Sequence, residues 1–269
     1  MIIEQQSRAA SAPTTKRRGD RRTAPPLVAR PGGPAERFAG ALGYRHPALV
    51  FALAVFGGFL LLAAASILLA LLVVHVLVSG SGLGLAGTEQ NFNETLVQHR
   101  SGTLTTISEI GSQVGGAPVL PILVGLIALA CAILRRWRIA AFAVFVLVAE
   151  SATYRITSIV VPRDRPSVHR LEDLPVDASY PSGHTAASVA VYSGLVLLLA
   201  YRFTSGLSKA LAWTGAILLT TFVALSRMYR GMHHPLDVAG GVLVGIGAIL
   251  VLLLACRAAG VAAERHSRA

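Results

Sequence analysis

The sequence predicts an all-α, polytopic membrane protein: a bundle of six transmembrane helices. Three observations carry this. The 269 residues are 54% hydrophobic and only 14% charged, with mean hydropathy +0.62, whereas soluble domains run near a quarter charged. The stretches 47–78, 110–134, 181–201 and 238–256 contain no Asp, Glu, Lys or Arg. Several of them exceed the ~20 apolar residues that cross a bilayer. This pattern excludes a secreted disulfide scaffold, a cytoplasmic enzyme and a coiled coil.

Taken in order, residues 1–46 hold nine basic and three acidic side chains among Pro, Gly and Ala. With no apolar period, this segment is expected to be a disordered basic tail. Its charge suits a lipid surface and topology signal better than nucleic acid. The apolar run that follows starts too late and continues too long for a cleaved signal peptide. Span one is expected over 47–78. The polar connector 79–111 contains TEQNFNETLVQHR, read as a short surface helix. Span two is expected over 112–134, span three over 139–161, span four over 182–202, span five over 208–227 and span six over 235–256. A polar loop, 162–181, separates spans three and four. Residues 257–269 read as a short tail. The whole of 47–256 is expected to form one membrane domain, with its informative core at 150–241.

Cys131 and Cys256 both lie in apolar runs. Two such residues make neither a disulfide framework nor a metal site. His75 and His99 read as interfacial side chains.

Basic residues in short loops set orientation. Arg135, Arg136 and Arg138 lie between spans two and three, Arg202 and Lys209 between spans four and five, and Arg257, Arg265 and Arg268 after span six. With six spans these share one side with the N-terminal tail. That side, carrying both termini, is expected to be cytoplasmic. The opposite side nonetheless carries Arg163, Arg165, Arg170, Arg227 and Arg230. A positive cluster on the translocated side is explained by anion binding.

Three stretches reach that face: VVPRDRP (160–166), YPSGHTAAS (180–188) and SRMYRGMHHPLDVAGG (226–241). Arg165 and Arg227 are candidate phosphate ligands, with Arg163 a third, because a guanidinium fork matches phosphoryl oxygens. Ser182 is placed to cap span four. The free amides at a helix start bind anions, and Gly183 lets a ligand approach closely. His184 then stands beside the bound phosphate as a general acid. His233 and Asp237 are four residues apart, so the carboxylate can hold one ring nitrogen and leave the other to attack phosphorus. His234 is three residues from Asp237, and spacing leaves both histidines open as nucleophile. Glu150 and Arg155 are charged residues inside span three, and an intramembrane charge is a functional-site hypothesis by default. No metal and no cofactor are expected: a ring of arginines suits an anion, and the acidic and histidine residues do not close a zinc shell.

These stretches resemble the type 2 phosphatidic acid phosphatase (PAP2) family over about 100–256. The family's second motif, Pro-Ser-Gly-His, is complete at Pro181 to His184. Its third motif is matched by Ser226, Arg227, His233 and Asp237, which selects His233 over His234. Its first motif ends at Arg165 and Pro166, but its lysine position holds Ser158. Arg163 and Arg155 are the candidates for the missing charge. The resemblance implies a six-span bundle acting on lipid phosphates or isoprenoid diphosphates without a required metal. It further implies His233 as nucleophile, Asp237 as its orienting carboxylate and His184 as proton donor. Arg165, Arg227, Ser182 and the Gly183 amide would bind phosphoryl oxygens, on the extracytoplasmic side. Two other readings use the same residues. One is a lipid or anion transporter, which prefers charges at the membrane midplane. The other is a catalytically idle lipid-phosphate-binding membrane protein.

Overall fold

The structure is a computed structural model that describes residues 25–79, 84–173 and 178–268. Among these residues it is all-helical, with six helical segments long and apolar enough to cross a membrane. They are Pro47–Val78, Gly102–Ile133, Trp137–Val160, Gly183–Arg202, Gly206–Tyr229 and Pro235–His266. All six expected spans are present.

Span one begins where His46 accepts a hydrogen bond from the Ala48 amide and Pro47 occupies the first turn. A proline there loses no helical hydrogen bond. Much of its apolar surface faces outward, with Leu61 75% exposed. Such a face is costly in water and comfortable against lipid tails. Spans three, four and six supply the main core, including Phe142, Val146, Ala190, Leu198, Ala248 and Leu252. Span six reaches the start of span four through Gly241 and Gly245. A Cβ on Gly241 would stand 2.5 Å from the Ser182 carbonyl oxygen, and one on Gly245 2.6 Å from that of Ala186. Small residues four apart allow this close backbone approach.

Three boundaries differ from the expectations. Span two starts earlier, at Gly102, where the Ser101 hydroxyl accepts from the Leu104 amide. It is two helices, Gly102–Val114 and Val119–Ile133, interrupted at Gly115, Gly116, Ala117 and Pro118. Proline and paired glycines break the hydrogen-bond ladder there. The apolar run alone pointed to a start near 112 because the first helix carries Thr, Ser and Glu.

Span six does not stop at 256 but continues to His266. The segment 257–269, expected as a tail, is mostly helix because its alanines pack: Ala258 and Ala262 bury against Ala35, Ala39 and Val50. This also corrects the expectation of disorder over 1–46 for its described part, 25–46. Residues 1–24 lie outside the described residues. Residues Pro34–Ala41 form a helix docked on the end of span six. The Arg257 Nε donates to the Pro26 carbonyl at 2.7 Å. The connector helix, Leu85–Gln98, forms where a surface helix was expected.

The starts of spans four and six and the ends of spans three and five share one end of the bundle. The N-terminal helix, the end of span six and Arg138 share the other, where a Cβ on Gly260 would meet the Arg138 guanidinium at 2.9 Å.

Candidate active site

His233 sits in the short turn between spans five and six, 3% exposed. Its Nδ1 lies 2.7 Å from the Ser179 carbonyl oxygen. A carbonyl only accepts, so Nδ1 carries the proton and Nε2 keeps its lone pair. Burial pushes the ring down to about 4, with Arg227 adding to the shift and Asp237 opposing it. The imidazole is therefore neutral near pH 7.

Asp237 does not hold His233 as spacing suggested. Its Oδ2 is 3.8 Å from His233 Nδ1, beyond hydrogen-bond reach. The carboxylate instead accepts from the Ser179 hydroxyl, from Arg163 Nη1 at 2.5 Å and from the His234 amide at 2.7 Å. Its hold on His233 runs through Ser179, whose hydroxyl it grips and whose carbonyl takes the ring proton. The Asp237 carboxylate also caps the span-six N-terminus together with His234. His234 Nδ1 is 3.3 Å from the same oxygen.

Arg163 departs from its expected place among the phosphate ligands. Its guanidinium is committed to two carboxylates, Asp237 and Glu89, the second through Nη2 at 2.5 Å. Burial works against this charge, but Asp237 and Glu89 outweigh it and hold the guanidinium above its ordinary value. Glu89 comes from the connector helix, and its other oxygen accepts the Leu236 amide at 2.8 Å. The connector thus locks the loop after span three to the start of span six.

Ser182 is also turned away from the expected role. Its hydroxyl lies 3.0 Å from that of Thr185 rather than capping a backbone amide. Its amide donates to the Asp237 carbonyl. These bonds fix the first turn of span four, which carries Gly183 and His184.

A cavity of about 320 Å³ opens beside these groups. Arg165, Gly183, His184 and His233 line it, so four expected site residues from three separate stretches meet there. Arg165 is held by the Met232 and Ala178 carbonyls, at 2.5 and 3.0 Å. The broken part of span two forms the facing wall. A Cβ on Gly116 would stand 2.6 Å from His184 Nε2, so only glycine leaves room for the ring. Of the two candidates for the missing first-motif charge, Arg155 lines the cavity, whereas Arg163 is bound elsewhere. Ser158 itself is buried, its hydroxyl donating to the Arg155 carbonyl.

Arg227 is fully buried at the end of span five. Its Nη1 donates to the Ser112 hydroxyl and to Glu172 Oε2. Its Nε and Nη2 have no hydrogen-bond partner. A buried donor without an acceptor is costly, and an anion would satisfy both. Glu172 also accepts from Arg230 Nε. Burial raises the Glu172 carboxyl, but Arg227, Ser112 and Arg230 outweigh that and hold it down at about 2.

Sequence reasoning missed Glu89, Ser112, Gly116, Glu172 and Ser179. None carries a local signal; each is defined by what it meets across the bundle.

With this geometry in view, the comparisons are specific. Residues 139–260 match the PAP2 superfamily. The bacitracin transport permease protein BcrC of Bacillus licheniformis is 35% identical over 81 residues, covering 30% of this chain and 35% of that protein. The undecaprenyl-diphosphatase of Sulfolobus acidocaldarius is 28% identical over 161 residues, covering 58% of this chain and 69% of that one. The chain thus spans about a third of the first relative's length and about two thirds of the second's. The crystal structure of a transmembrane PAP2-type phosphatidylglycerolphosphate phosphatase from Bacillus subtilis has the same fold. Its TM-score is 0.59 at 21% identity, over 77% of this chain and 94% of that one.

Proposed function

We propose that this chain, which belongs to the PAP2 superfamily, is a membrane phosphatase that hydrolyses a lipid phosphate or isoprenoid diphosphate through a phosphohistidine intermediate. The observation that carries this reading is the convergence of His233, His184 and Arg165 on one cavity, with the His233 proton held on Nδ1.

The chemistry follows from that arrangement. Arg165, the Gly183 amide and the two unpartnered nitrogens of Arg227 draw in the phosphoryl oxygens. His233 Nε2 attacks phosphorus, and the bond from phosphorus to the leaving oxygen breaks. His184 gives its proton to that oxygen. Water then attacks the phosphohistidine, His184 takes back a proton, and inorganic phosphate leaves. Asp237 and Ser179 keep the ring in its tautomer as positive charge develops on it. Arg163 holds Asp237 in place rather than touching substrate. The guanidinium groups supply the charge that stabilises the transferring phosphoryl group, so excess EDTA is expected to leave the rate unchanged.

The test is phosphate release by the detergent-solubilised protein from phosphatidate, phosphatidylglycerophosphate and undecaprenyl diphosphate. His233→Ala should abolish release while the protein still folds and inserts, and His234→Ala should cost less. Release by His233→Ala near the parental rate overturns the mechanism. A transporter using the same arginines would instead bind these lipids without releasing phosphate.

The reading extends to orientation. Basic loops at 135–138 and 202–209 favour the cytoplasm, and the cavity opens at the other end. Catalysis therefore faces the extracytoplasmic side, with both termini inside. In a background lacking Cys131 and Cys256, Val168→Cys should react with a membrane-impermeant maleimide in intact, wall-permeabilised cells. Ser205→Cys should react only after the membrane is opened. The reverse pattern inverts the topology.

A further inference from the structure

The cavity contains one buried ionisable side chain that the proposed reaction does not use. Glu150 lies in span three, is 1% exposed and lines the same cavity as His184, His233 and Arg165. Its Oε2 accepts from the Ser151 hydroxyl at 3.0 Å. Its Oε1 is buried without any hydrogen-bond partner. A carboxyl oxygen left in this condition inside a membrane span is expensive.

Its position along span three is informative. Leu147, Glu150, Ser151, Tyr154 and Arg155 all line the cavity, the spacing of one helical face. Tyr154 stands level with the start of span four, since a Cβ on Gly183 would meet its ring at 3.2 Å. Glu150 lies four residues deeper, about 6 Å at 1.5 Å per residue. Around and below it the walls are Leu120, Leu147 and Ala187. The cavity therefore runs from Arg165 and the two histidines, past one acidic group, to apolar walls. A donor two or three bonds along the chain from a phosphoester oxygen at the mouth, plus a hydrogen bond of about 3 Å, spans that depth.

We infer that Glu150 is a specificity-determining residue that accepts a hydrogen bond from a hydroxyl or amine on the second or third carbon of the lipid substrate. The inference rests on the phosphatase reading above. Chains with such a donor satisfy Oε1; a bare isoprenoid or alkyl chain leaves it unpaired. A site built around a substrate donor discriminates strongly against the analogue lacking it. This favours lipid monophosphates with a polar backbone over isoprenoid phosphates.

The experiment measures phosphate release in detergent micelles from four single-chain probes. Lysophosphatidate carries a hydroxyl donor and sphinganine 1-phosphate an amine and a hydroxyl. Dodecyl phosphate and farnesyl phosphate carry neither. The wild-type protein should favour the donor-bearing pair by about 10-fold or more in kcat/KM. Glu150→Leu should bring that ratio close to one, chiefly by slowing the donor-bearing probes. Glu150→Gln, which keeps the side-chain shape, should lower the ratio partway and serves if the leucine variant does not fold. A wild-type ratio near one, or an unchanged ratio in the folded variants, overturns the assignment while leaving the phosphatase reading intact. Failure of the wild-type protein to release phosphate from any of these or the earlier lipids overturns both.

Discussion

Two buried charge clusters stand at the same end of the bundle as the cavity, and they are built on opposite principles. Around Asp237 the cluster is closed. Arg163 bridges Asp237 and Glu89, the Ser179 hydroxyl and the His234 amide take the remaining acceptor sites, and the cluster ties three elements together. Around Arg227 the cluster is open. Ser112 and Glu172 hold one nitrogen, and the other two are without an acceptor. A saturated cluster gains nothing by binding an anion and serves to fix geometry. An unsaturated one is paid for in stability and recovers that cost when an anion arrives. The same residue type, arginine, thus does two jobs 64 residues apart in sequence.

The largest test of this contrast is at the open cluster. Arg227→Ala should lower kcat/KM by about 10²–10³, the usual loss for one preorganised donor at a developing oxyanion. Arg227→Lys should recover little, since an ammonium lacks the planar fork. Steady-state phosphate release measures both. Near-parental activity in either variant would mean that Arg227 is structural, and the open cluster would lose its meaning.

A smaller effect is expected at the closed cluster. Ser179→Ala removes the hydroxyl that Asp237 grips but keeps the backbone carbonyl that receives the His233 proton. A hydrogen bond to a charged group is worth ~1.5–3 kcal/mol, and only part of that is expressed as lost ring orientation. A drop of about 10-fold in kcat with little change in KM is expected. A rise in KM alone would show that the closed cluster also touches substrate.

The smallest effect at neutral pH, but the sharpest on the role of burial, concerns His233. Its ring is held down to about 4 by burial first, so the attacking neutral form persists well below the ordinary histidine range. After correction for the second phosphate ionisation near pH 6, kcat/KM should fall with acid through about 4. A limb near 6.5 would mean that the ring is solvated in the working protein.

Much of this protein was legible from local pattern. Six apolar runs marked six spans because lipid imposes length and apolarity on each helix independently. The connector helix was legible too. The residues of the three motif stretches were identifiable, and four of them do meet at one cavity. What pattern misplaced were the ends and breaks of helices. Polar Thr and Ser could not announce that span two begins at Gly102, and alanines after Cys256 could not announce that they pack on Pro34–Ala41.

The sequence by itself determined the number of spans, the end of the bundle where the arginines and histidines gather, and which histidine and arginine types stand there. Only the tertiary structure decided which arginine is closed off by carboxylates and which lines the cavity. Arg163 and Arg165 are two residues apart, yet one faces two carboxylates and the other lines the cavity with His233. Likewise, spacing offered Asp237 to His233 directly, and folding put Ser179 between them. The physical reason is range. Hydropathy acts on each segment where it lies, whereas the direction of a long side chain depends on a partner such as Glu89 or Glu172, which only packing brings within 3 Å.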